Sequence, residues 1–137
     1  MRVELVELID ISRRPAGHPR LARVRTPLGE VTVGWAGDPA AEPGAHYVEW
    51  TVDEDLAWGR NAESAGPEGA PEVREGGGSA VMLRGWVDIE EDGVLVLRLG
   101  EDLVLLEVAG PVPEGVVPGW VRLRLDRGRV VLFPYAV

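Results

Sequence analysis

The stretch VEWTVDEDLAWGRN, residues 48–61, sets three consecutive acids, Asp53, Glu54 and Asp55, between Trp50 and Trp58. Carboxylates this dense attract guanidinium and ammonium groups, and a tryptophan beside them supplies the large, stiff apolar contact that anchors protein interfaces. The chemistry this pattern points to is recognition of a basic protein, with Asp53, Glu54, Asp55 and Trp58 as contact residues. A structural use competes for the same residues. Asp53 would cap a short helical turn, the acids would sit at its positive dipole end, Leu56 would pack inward and Gly59 would end the turn. Asp53 and Asp55 lack the ligand spacing of a calcium loop, so no metal is expected there.

A second constellation is Trp120, Arg122 and Arg124, which alternate along one strand and so share a face. An indole beside guanidinium groups can stack on unpaired bases and hydrogen-bond phosphates. The competing reading is a solvated outer face on which Trp120 and an arginine form a cation–π pair. A net charge of −9 weighs against nucleic acid, because phosphate neutralisation dominates that affinity.

Catalytic sets are missing. There is no cysteine, which removes disulfides, thiolate metal sites and thiol nucleophiles. All fourteen basic residues are arginine, so neither a Schiff-base lysine nor a phosphate-loop lysine exists. Ser12, Ser64 and Ser79 sit outside any nucleophile elbow, and His18 and His46 have no spaced ligand partners. Glu90 and Glu91 are adjacent in a turn rather than opposed across a cleft. The expectation is a protein that is not an enzyme and holds no cofactor.

The charge is concentrated. Residues 38–79 carry ten acids against two arginines, while residues 1–37 carry four acids against six. The start, MRVELVELIDI, lacks the basic, then apolar, then small-residue order of a signal peptide, and no apolar run approaches the roughly 20 residues that cross a bilayer. These features lead to an expected cytoplasmic location with no membrane partner.

The elements that must position these groups are strands. Short β-branched and leucine-rich runs bounded by Gly, Pro and Asp place strands near 2–11, 20–26, 29–36, 45–52, 80–90, 93–99, 102–109, 119–126 and 128–135. Between them, GRNAESAGPEGAPEVREGGGS has almost no large apolar residue and reads as a flexible connector over 59–79. Its flanks, 1–58 and 80–137, repeat one order of features: strand, strand, strand ending in Ala-Gly, a Pro-Gly turn, and a further strand. Setting Ala36-Gly37 on Ala109-Gly110 aligns Val31, Val33 and Trp35 with Val104, Leu106 and Val108 as inward residues. Setting Pro43-Gly44 on Pro118-Gly119 aligns Val48 and Trp50 with Leu123 and Leu125 inward, and Tyr47 and Glu49 with Arg122 and Arg124 outward.

The expected fold is therefore all-β, with two similar four- to five-stranded halves related by internal duplication, built either as small barrels or as one sandwich. The second half, from GWVDIEEDG to LFPY, resembles an OB-type barrel with a Pro-rich turn where a helix often sits. VEWTVDEDLAWGRN, with its WG-x-N element at 58–61, resembles the small acidic immunity proteins that accompany secreted toxins. That resemblance implies a tightly bound cognate toxin as partner and carries over no site residue. The leading expectation is a non-enzymatic module that neutralises a basic protein. A scaffold that assembles with itself and an OB-like single-strand nucleic-acid binder are the alternatives.

Overall fold

The computed structural model describes residues 1–9 and 19–136. Ser12, His18 and the last two residues of the first expected strand lie outside them. The chain runs through β1 (Arg2–Ile9), β2 (Arg20–Thr26), β3 (Gly29–Trp35), β4 (Gly44–Val52), β5 (Ala62–Ser64), β6 (Glu72–Glu75), β7 (Ala80–Ile89), β8 (Leu95–Leu99), β9 (Asp102–Leu106), β10 (Gly119–Asp126) and β11 (Val130–Tyr135). The protein is all-β, with one 3-10 turn among the described residues, at Arg127–Arg129 preceding β11.

Alternating sequences lay these strands down with one apolar face each. In β4, Val48, Trp50 and Val52 are buried while Tyr47, Glu49 and Thr51 face out. In β10, Val121, Leu123 and Leu125 are buried, and Arg124 is exposed. The inward set expected from the aligned halves is buried, except that Val108 lies past the end of β9 and is only partly covered.

Five strands close a barrel in the order β1-β2-β3-β11-β4, with β11 parallel to β3 and antiparallel to β4. The second sheet runs β5-β10-β7-β8-β9, and β6 also pairs with β7. The half expected as an OB-like barrel, 80–137, thus forms most of a sheet and gives its last strand to the other half. The hydrogen-bonding pattern does not divide at the expected boundaries.

The chain crosses over in both directions. The segment after β4 leaves the first half: Leu56 is bridged in parallel to Val108, and β5 pairs antiparallel with β10. It thereby lies between the ends of β9 and β10, as β11 lies between β3 and β4. Corresponding bonds mark the two crossings. The Ala36 amide donates to the Leu132 carbonyl at 2.9 Å, and the Ala109 amide donates to the Leu56 carbonyl at 2.7 Å.

Residues 59–79, expected as a flexible connector, instead contain β5 and β6, both hydrogen-bonded to central strands. Composition misleads here because arginines outside the segment hold it. Arg84 donates to the carbonyls of Ala65 and Glu68 at 3.0 and 2.9 Å, and Arg124 donates to that of Gly76. Backbone carbonyls need no apolar side chain to be held in place. β6 also joins the two sheets. The Val73 amide donates to the Leu28 carbonyl at 3.0 Å, and the Glu75 carboxylate accepts from the Thr32 amide at 2.6 Å.

β7 changes partner midway, from β6 at Val81–Arg84 to β8 at Trp86–Ile89. Gly85 sits at the change, where an added Cβ would overlap the Arg98 carbonyl oxygen. Gly85→Ala should therefore lower stability by roughly 1–3 kcal/mol, as overpacking in a core does. Urea unfolding measures it, and an unchanged midpoint would mean that β8 can retreat without cost.

Candidate protein-binding groove

The acidic triplet is built into the crossing rather than displayed as one patch. Glu54 accepts from the Asp126 amide and from the Asn61 side-chain amide, both at 2.9 Å. Asn61, only 6% exposed, also accepts from the Ala57 amide and donates to the Asp55 carbonyl, each at 2.9 Å. The Asp53 amide donates to the Arg129 carbonyl, and Arg129 returns a bond to the Asp53 carbonyl. The carboxylates of Asp53 and Asp55 stay on exposed residues, whereas that of Glu54 ties two segments together. In place of a helical turn, residues 53–58 run through single bridges, with Leu56 fully buried as expected.

Trp58 packs against the core, and its indole N–H is buried without a hydrogen-bond partner among the described residues. The face of Trp120, Arg122 and Arg124 is also engaged. Trp120 packs edge-on against Trp86, with centroids 5.9 Å apart at 85°. Arg122 pairs with Glu63 at 3.0 Å, and the chain around Gly69 lies against Trp120 and Arg84.

The surface not accounted for by such ties lies along β9. Its sequence, DLVLL, is apolar on both faces, the pattern of a strand covered on both sides. Only one side is covered: Val104 and Leu106 are buried, but Leu103 and Leu105 are 65% and 68% exposed. They border a groove of about 510 Å³ whose other wall is the outer face of β4 and the end of β11, including Glu49, Thr51 and Tyr135.

The apolar character continues along the barrel wall. Tyr135 is the cross-strand partner of Tyr47, with ring centroids 6.2 Å apart, and Phe133 lies opposite Glu49. Tyr47, Leu103, Leu105, Phe133 and Tyr135 are all exposed, so most of the large apolar side chains that reach solvent gather on this face. Glu49, Glu101 and Asp102 line the groove with no arginine beside them, and Asp102 is paired with the N-terminal ammonium of Met1 at 2.8 Å. The arrangement suits an apolar and cationic surface.

Sequence reasoning missed this groove. The available signal was the unbroken apolar run in β9, which reads as core until its neighbours are placed. Among the described residues, no three His, Asp or Glu converge as a metal site, and no helix is long and apolar enough to cross a membrane. Compared with known proteins, the chain matches no family model, no curated protein and no solved structure. What fold and surface define is the class: an all-β protein with a closed five-stranded barrel.

Proposed function

We propose that this is a non-enzymatic protein-binding module whose groove beside β9 receives an apolar, basic segment of a partner protein. The observation that carries the reading is the convergence of Leu103, Leu105 and Tyr135 on a groove where Asp102 is paired with the N-terminal ammonium and Glu49 and Glu101 remain as acids. Burying such side chains supplies residence time, while the carboxylates and the net charge of −9 accelerate encounter with a cation-rich surface. An immunity-type inhibitor of a basic toxin is the particular form of this function that the resemblance at 48–61 implies. Asp53 and Asp55 then add long-range attraction rather than the contact itself.

Two architectural proposals accompany it. The barrel order, with β11 as its fifth strand, supports an OB-type assignment for the first half. The shared pairing orders β4-β1-β2-β3 and β10-β7-β8-β9 support an internal duplication.

The test is capture from the host lysate by the tagged protein, wild type against a Leu103→Asp/Leu105→Asp double variant, at low and high salt. Both leucines are exposed, so the variant should melt with the wild type. A basic protein retained by the wild type, lost from the variant and weakened by salt is the expected result. Capture unaffected by the variant would overturn the groove assignment. Recovery of only the protein itself would favour the scaffold alternative.

A further inference from the structure

A separate surface, on the outer face of β7 and β10, gathers cations in an otherwise acidic chain. Arg84 and Arg122 are directly opposite across these two strands, and Arg124 lies opposite Met82. β6 places Arg74 opposite Met82 from the other side. Arg60 joins Arg122, Arg124 and Met82 around a cleft of about 350 Å³, and Arg74 and Arg84 line an adjoining cleft of about 210 Å³ that shares Met82 and Arg122.

Two carboxylates enter this surface. Glu63 pairs with Arg122 at 3.0 Å and Glu72 pairs with Arg74 at 2.7 Å. The other three guanidinium groups are held by backbone carbonyls: Arg60 by that of Asp55, Arg84 by those of Ala65 and Glu68, and Arg124 by those of Gly76 and Gly77. A carbonyl orients a guanidinium without cancelling its charge. Among the described residues the surface is thus left with three positive charges that no carboxylate pairs, preoriented, on a chain whose total is −9.

Arg84 and Arg124 hold the 59–79 segment through its carbonyls, but like charges directly across a sheet destabilise it, and an anion over the clefts would offset that repulsion. We propose that the two joined clefts bind a small phosphate- or pyrophosphate-bearing molecule. Arg60, Arg122 and Arg124 would contact its oxygens, and Met82 would provide an apolar floor. Guanidinium forks match phosphate oxygens two at a time, and the compact size of the clefts selects a small ligand over an extended strand.

The test is calorimetric titration of the intact protein with inorganic pyrophosphate, against sodium chloride at matched ionic strength. A saturable one-to-one isotherm is expected with pyrophosphate and none with chloride. Arg60→Gln and Arg124→Gln should each weaken binding about tenfold, the scale of one charge-assisted hydrogen bond. Arg25→Gln, on an exposed barrel residue paired with Glu30, should leave it unchanged. Melting curves of each variant separate lost contacts from a loosened 76–78 turn. Absence of binding at millimolar pyrophosphate, or binding equally strong in both cleft variants, would overturn the proposal. So would tight binding of a single-stranded oligonucleotide without binding of pyrophosphate, which would assign the face to nucleic acid instead.

Discussion

Fragments 1–65 and 66–137, prepared separately, should each fail to fold, and mixed in equal amounts they should assemble into the native structure. The reason is the double crossing. Residues 1–65 lack β11, which stands between β3 and β4, so the barrel would be left with a gap. The loss takes Val130 and Leu132, both completely buried, out of that core. Full burial of an aliphatic side chain is worth about 1.5–3 kcal/mol, so these two alone approach the roughly 5–15 kcal/mol by which domains are stable. Residues 66–137 in turn lack Leu56 and β5, which cover the ends of β9 and β10. The cut falls at exposed Gly66, where an added Cβ would meet nothing. Circular dichroism and amide proton dispersion of each fragment and of the mixture decide the matter. A dispersed spectrum and cooperative melt for 1–65 alone would show that the barrel closes without β11.

The second large effect is expected at Asn61. Asn61→Leu keeps the approximate volume but removes the bonds to Ala57, Asp55 and Glu54. It leaves the Ala57 N–H and a Glu54 carboxylate oxygen without that partner, while the Asp55 carbonyl keeps its bond from Arg60, in a setting where the residue itself is 6% exposed. Each buried polar group left unpaired costs about 1–3 kcal/mol, and partial access to water lowers the sum. A loss of roughly 2–4 kcal/mol is expected on that scale. The denaturant midpoint should fall with an unchanged slope, since the unfolded state is not altered. Asp53→Asn, on an exposed residue whose ties run through its backbone, should stay within about 0.5 kcal/mol of wild type. Equal stability of Asn61→Leu and wild type would remove the claim that this network holds the crossing.

This difference between Asn61 and Asp53 shows why the site was only partly legible. In VEWTVDEDLAWGRN the three acids look equivalent, because type and spacing do not tell which carboxylate meets an amide 72 residues away. Glu54 does so at Asp126. On the Trp120 face, Arg124 serves carbonyls and Arg122 a carboxylate of a segment whose composition reads as flexible. Aligning the halves put Val104 and Leu106 inward, but the groove beside β9 also needs β4 and β11 to stand opposite Leu103 and Leu105, and no local pattern states that.

What the amino-acid order determined by itself was nine of the eleven strands among the described residues, β5 and β6 being missed, and the face that strands such as β4 and β10 bury. Alternation with period two places Val48 and Trp50, or Leu123 and Leu125, on one side of the pleat whatever the partner strand. Glycine and proline punctuation likewise located all nine expected strands, to within a few residues at each end that falls among the described residues. Only the tertiary structure decided that β11 joins the first barrel, that 56–64 reaches the second sheet, and that arginines gather over Met82. Pairing between strands is made by backbone groups that every residue carries. A strand therefore states which face it wants buried, but its partner is chosen by chain length, crossing geometry and the competition of all strands for the same edges.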